Sequence, residues 1–114
     1  MKQIAYLGLG VHARNCVLGN MDGSGTFRGN LEFLTSEKNI VNALNCINAK
    51  EKYLAIEEGT LAHWAAEVAN AYVNQVIICD PRENALIYKS PHKRDPVDTR
   101  KLCRLLRLGE LKQV

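Results

Sequence analysis

The chain has 114 residues, 46% hydrophobic and 24% charged, with a formal net charge of +3. That length suits one compact domain with its own core and leaves no room for two. No run approaches the ~18 apolar residues of a membrane span, no secretory pattern opens the chain, and Cys16, Cys46, Cys79 and Cys103 form no CxxC pair, so they read as buried thiols of a cytoplasmic protein rather than a disulfide framework.

Residues 3–9 alternate as a first strand, with Ile4, Tyr6 and Gly8 on one face. Residues 14–20 form a second strand. Asn20-Met21-Asp22-Gly23-Ser24-Gly25 is rich in residues that tolerate positive φ and predicts a hairpin, from which residues 26–34 return as a third strand. Thr35 or Ser36 caps a helix over 36–48, with Ile40, Val41, Leu44 and Ile47 on its inner stripe. Residues 52–57 form a strand ending in an acid. The next helix, over 60–73, places Leu61, Trp64, Ala65, Val68 and Tyr72 on one face, with Trp64 in the core. Residues 75–79 are almost wholly apolar, as in a strand covered on both faces. Asp80-Pro81 opens a short helix, residues 88–94 form a loop, and Asp95-Pro96 opens the final helix, which Gly109 ends.

The order βββαβαβα with a last helix predicts an α/β domain: a hairpin meander followed by αβαβ units, giving a mixed sheet flanked by helices. It is the order of ribonuclease H-like folds.

Chemistry-bearing residues fall at the ends of these elements. Asp95 and Asp98, three apart at a helix start, share one face with Leu102 and Leu105, so both carboxylates aim inward. Two such groups repel unless a cation lies between them, and hard oxygen ligands suit Mg²⁺ or Mn²⁺. The same spacing also serves a capped helix N-terminus without a metal. Glu57 ends a strand at the edge where α/β folds place their sites, or it pairs with a nearby lysine. His12, two residues after Gly10, lies on the same strand face if the strand continues; a lone histidine is more often simply hydrogen-bonded. From Lys89 to Lys112 there are eight basic residues against three acidic ones. Lys93, Arg94, Arg100, Lys101, Arg104 and Arg107 form either a phosphate-binding surface or a solvated helix face.

Four segments carry a resemblance in order: Leu7-Gly8-Leu9-Gly10-Val11-His12, Glu57-Glu58-Gly59-Thr60-Leu61-Ala62, Val76 through Ile87 (VIICDPRENALI), and Lys93 through Leu102 (KRDPVDTRKL), which runs on to Gly109. Together they span nearly the whole chain, which resembles the N-terminal domain of bacterial DEDD-type insertion-sequence transposases, the group related to the Piv invertases. The resemblance implies a RuvC-like, ribonuclease H-like fold whose four acids hold divalent metal for DNA recombination. Carried over by position, these are Glu57, Asp95 and Asp98, with Gly10 where the first aspartate is expected. Loss of that ligand implies impaired metal binding and catalysis, and a non-catalytic nucleic-acid-binding module is the alternative. The resemblance further implies DNA as partner, a guide RNA, association with a full-length transposase or with itself, and a second, serine-bearing domain. Residues 1–114 would then be the single RuvC-like domain without that second one.

Overall fold

The computed structural model describes residues 3–79 and 98–109. Strands β1 (Ile4–Val11), β2 (Asn15–Asp22) and β3 (Phe27–Leu34) precede helix α1 (Glu37–Cys46). Strand β4 (Glu51–Glu57), helix α2 (Ala62–Ala69) with a 3₁₀ turn (Asn70–Tyr72), β5 (Gln75–Cys79) and α3 (Thr99–Leu108) follow. The expected βββαβαβ succession is found, and of the two helices expected after it the last is α3. The five strands form one sheet, β3-β2-β1-β4-β5. The first three pair antiparallel, and β1, β4 and β5 run parallel. This is the mixed sheet flanked by helices that the sequence predicts.

Local chemistry explains the element ends. Asp22 accepts hydrogen bonds at Oδ1 from the Ser24 and Thr26 amides, both at 3.0 Å, and from the Ser24 hydroxyl at 2.6 Å. Gly25 supplies the left-handed residue of that hairpin turn, at φ 93°. Ser36 caps α1 by accepting from the Asn39 amide at 3.0 Å. Gly109, at φ 72°, ends α3 as expected, its N–H bonding back to Leu105 and Leu106 carbonyls.

The two sheet faces have different partners. Leu7 and Leu9 of β1, Cys16 and Leu18 of β2, and Leu54 and Ile56 of β4 are buried with Ile40, Ala43 and Leu44 of α1 and Ala62, Ala65 and Ala69 of α2. Fully burying each such leucine contributes about 1.5–3 kcal/mol. On the other face Ala55 and Cys79 pack against Leu102 of α3.

Several expectations are corrected. Trp64 and Tyr72 are exposed, at 36% and 41%. Of the expected stripe Ala65 is buried and Val68 packs partly against the core, and the inner face runs through the alanines Ala62, Ala65 and Ala69. In strand β5 Gln75 is exposed, Val76, Ile77 and Ile78 are half-buried and only Cys79 is buried, so the strand is less covered than expected. Cys46 is exposed, whereas Cys16, Cys79 and Cys103 are buried thiols as expected. The final helix begins at Thr99 rather than at Asp95-Pro96: Asp98 is its N-cap, with extended backbone at φ −83°, ψ 94°. The helix predicted from Asp80-Pro81 and the loop over 88–94 lie outside the described residues.

Candidate active site

The site is assembled at the carboxyl ends of the parallel strands. Gly8 of β1 lies opposite Gly19 of β2 and beside Ala55 of β4. These three residues make a row without bulk across the middle of the sheet, and α3 lies directly on it. A Cβ added at Gly8 would fall 2.9 Å from the Thr99 carbonyl oxygen, and one at Gly19 2.6 Å from Thr99 Cβ. At its other end α3 meets the hairpin turn, where Arg107 Nε donates to the Gly23 carbonyl at 3.2 Å. The helix therefore runs antiparallel to β1, with its N-terminus towards Gly10.

Side chains alternate along a strand, so Gly10 shares the α3 face with Gly8. It is buried, pairs with Val17 and continues the strand without positive φ. One register step beyond the Leu9–Ile56 pair places Glu57 next to Gly10 on the neighbouring strand, on the same face. Glu57 is half-buried, and no described residue donates a hydrogen bond to its carboxylate. Burial pushes its pKa up, and the positive charge of His12 partly offsets that shift. His12 follows the end of β1, exposed, with its backbone held on both sides. Its N–H donates to the Asn15 carbonyl at 3.0 Å, and its carbonyl accepts from the Thr35 hydroxyl at 2.6 Å.

Asp98 lies at this same end as the α3 cap, accepting from the Lys101 amide at 3.2 Å. Its carboxylate is exposed. The shared-face argument for Asp95 and Asp98 does not apply, because Asp98 precedes the first helical residue. Asp95 itself lies outside the described residues, as do Lys93 and Arg94. The described structure thus brings Gly10, Glu57 and Asp98 to one end of the sheet. A half-buried carboxylate without a described donor has the chemistry to hold a hard divalent cation. Among the described residues, however, no three His, Cys, Asp or Glu side chains gather into a metal-holding group.

Cys103, on the sheet side of α3, has its pKa pushed up to about 12. Burial is the main cause, opposed by a backbone hydrogen bond at Gly8 and reinforced by the Asp98 charge.

Of the remaining basic candidates, Arg100 stands over the Phe27 ring at 5.0 Å from its centroid. Arg104 is exposed one turn on, and Arg107 reaches the hairpin. These three occupy one flank of α3 at i, i+4 and i+7. Lys101 lies off that flank and is half-buried. Thr99 is a polar contributor that sequence reasoning missed: it is buried and donates a hydrogen bond to Asn30 Oδ1, tying α3 to β3. Nothing in the local pattern marks it, since its partner is distant in sequence.

No helix among the described residues is long and apolar enough to cross a membrane. No family model and no curated protein matches the chain. Among solved structures the chain is similar to T. thermophilus RuvC in complex with Holliday junction substrate, with 12% sequence identity and a TM-score of 0.48 over 100% of this chain and 100% of that one.

Proposed function

We propose that this chain is the N-terminal domain of a DEDD-type transposase, built for divalent-metal-dependent DNA processing and catalytically impaired because Gly10 stands at its first acidic position. The observation that carries this reading is the adjacency of Gly10 and Glu57 at the carboxyl ends of the two central parallel strands, on the face covered by α3. A carboxylate at residue 10 would stand beside Glu57, with Asp98 at the same end and Asp95 completing the set. In this reading Glu57, Asp95 and Asp98 hold Mg²⁺ or Mn²⁺, which would polarise a phosphodiester and activate the attacking water. Without the first ligand the ion is held less firmly, and rate falls steeply as reacting groups lose position. DNA is the substrate; a guide RNA, a full-length transposase and a second copy of the chain are its further partners.

The test is cleavage of branched DNA with Mg²⁺ or Mn²⁺ by the unaltered chain and by Gly10→Asp. The backbone at residue 10 accepts an L-residue, since its φ is not positive. Cleavage by the variant alone is the expected result. Equal cleavage by both would overturn the impairment, and cleavage by neither would count against the nuclease site. A second reading, a nucleic-acid-binding module without catalysis, is favoured by the arginine flank of α3 together with Lys101, Lys93 and Arg94. It predicts binding that weakens steeply with salt in both proteins.

A further inference from the structure

Strand β3 ends the described sheet order, with β2 as its one neighbour there. The pairing decides which of its backbone groups are open. The Thr35 N–H donates to the Arg14 carbonyl at 2.9 Å, one pair beyond Asn15–Leu34, and hydrogen-bonded positions alternate along an antiparallel ladder. Leu31 and Phe33 therefore bond to Leu18 and Cys16, whereas Asn30, Glu32 and Leu34 turn their N–H and C=O groups to the outer edge. The Leu34 carbonyl is taken by Asn39 Nδ2 at 2.9 Å. The register shift lies opposite the Phe27 end, so residues 29–34 stay regular. The same strand carries two exposed large apolar side chains, Leu31 at 44% and Leu34 at 67%. An open edge of this kind is a template for another strand.

The edge is complementary to its own reverse. Antiparallel pairing of two copies with Leu31 against Leu31 sets Asn30 against Glu32 and Gly29 against Phe33, on both sides of the twofold axis. Asn30 and Glu32 have the outward backbone groups, so they make the hydrogen-bonded pairs. The Asn30 side chain accepts from Thr99 at Oδ1. Its Nδ2 is left to donate to the Glu32 carboxylate of the second copy, and no described residue donates to that carboxylate. A Cβ at Gly29 would meet nothing within 4 Å, and an aromatic ring from a neighbouring strand fills such a place over an edge glycine. Sliding the pairing one way sets Glu32 against Glu32, a repulsive like-charge pair. Sliding it the other way runs it into the irregular stretch at Phe27 and Arg28, where Arg28 is already paired with Asp22.

We infer that the outer edge of β3 is a homodimer interface, in which two copies of this chain pair antiparallel about Leu31 and their sheets continue into one. Of the proposed function this takes up only the second copy as partner, and its test involves no cleavage, so either can fail alone.

The experiment is amide hydrogen exchange of the full chain by nuclear magnetic resonance across a concentration series, with sedimentation giving the mass. The chain is expected to dimerise as concentration rises. Exchange at the Asn30 and Glu32 amides should slow about tenfold where about nine-tenths of the chain is dimer, because it then runs through the remaining monomer. The Leu31 and Phe33 amides, bonded within the chain, should start protected. Leu31→Glu sets two carboxylates together at an exposed position and should abolish the dimer while leaving the fold intact. With the exposed Cys46 replaced by serine, Leu31→Cys should form a disulfide between copies on mild oxidation. A pair without backbone bonds sets its Cα atoms about 4.5 Å apart, within disulfide reach. A monomer throughout the series, a dimer that survives Leu31→Glu, or a dimeric Leu31→Cys that forms no disulfide would each overturn the inference. Equal protection of Asn30 and Glu32 at every dilution would overturn it as well, since the edge would then be held within one chain.

Discussion

At Gly8 an added Cβ would lie 2.8 Å from Leu102 Cβ, and at Gly19 it would lie 2.5 Å from Thr99 Oγ1. Neither neighbour is the free end of a flexible chain, so α3 must lift from the sheet to admit either methyl. Overpacking of this kind costs about 1–3 kcal/mol. Gly8→Ala and Gly19→Ala should each lower the urea midpoint accordingly. Gly59→Ala, which meets nothing within 4 Å and has no positive φ, should leave stability equal or raise it by about 0.4–1 kcal/mol through the unfolded state. Equal midpoints for all three variants would contradict the close seat of α3. Gly10 belongs to neither class on backbone grounds: its conformation does not demand glycine.

The β2–β3 hairpin shows how one side chain sets an element. Asp22 has its pKa held down chiefly by the Ser24 hydroxyl, then by the Thr26 amide, with Arg28 adding through a 3.2 Å ion pair. A carboxyl with a depressed folded pKa adds stability that is complete above the ordinary value of 3.8 and is lost as pH falls through the folded value. Unfolding measured from neutral pH downward should therefore show a loss below 3.8 that Asp22→Asn does not show, since asparagine keeps the acceptor oxygen and not the charge. The hairpin was legible because Asp-Gly between two alternating runs has one economical solution. The succession of strands along the chain was equally legible from apolar alternation. Helix faces were less so: in α2 a large-residue stripe (Leu61, Trp64, Val68, Tyr72) competes with the alanine stripe, and it is the alanines that are buried. The start of α3 carried two capping acids, and Asp98 takes the cap. Of the candidate site, each acid could be named from sequence, but the adjacency of Gly10 and Glu57 arises only when β1 pairs with β4, a contact between residues nearly fifty apart that no local pattern encodes.

Considered as a whole, the molecule has unequal faces. One side of the sheet is held by α1 and α2 through a broad apolar cluster that includes Cys16, and the other, among the described residues, by α3 over a small cluster of Ala55, Cys79 and Leu102 with Leu106 beside it. Fewer buried apolar contacts mean a lower free energy of local opening. The α3 face should therefore open more often than the whole molecule unfolds, and the thiols report each face separately. Cys103 lies beneath α3, with a pKa of about 12 that leaves little reactive thiolate while the helix is seated. With the exposed Cys46 replaced by serine to remove the fast background, an aromatic disulfide reagent should label Cys103 and Cys79 before Cys16. Urea far below the unfolding midpoint should change that ratio little, because local opening exposes little new surface. Simultaneous labelling of all three would mean that α3 leaves only when the sheet itself comes apart. Early labelling of Cys103 would instead make α3 a cover that can lift over Gly10 and Glu57 while the sheet stays folded. It would also give the sheet end a route for a cation or a phosphate to enter without unfolding.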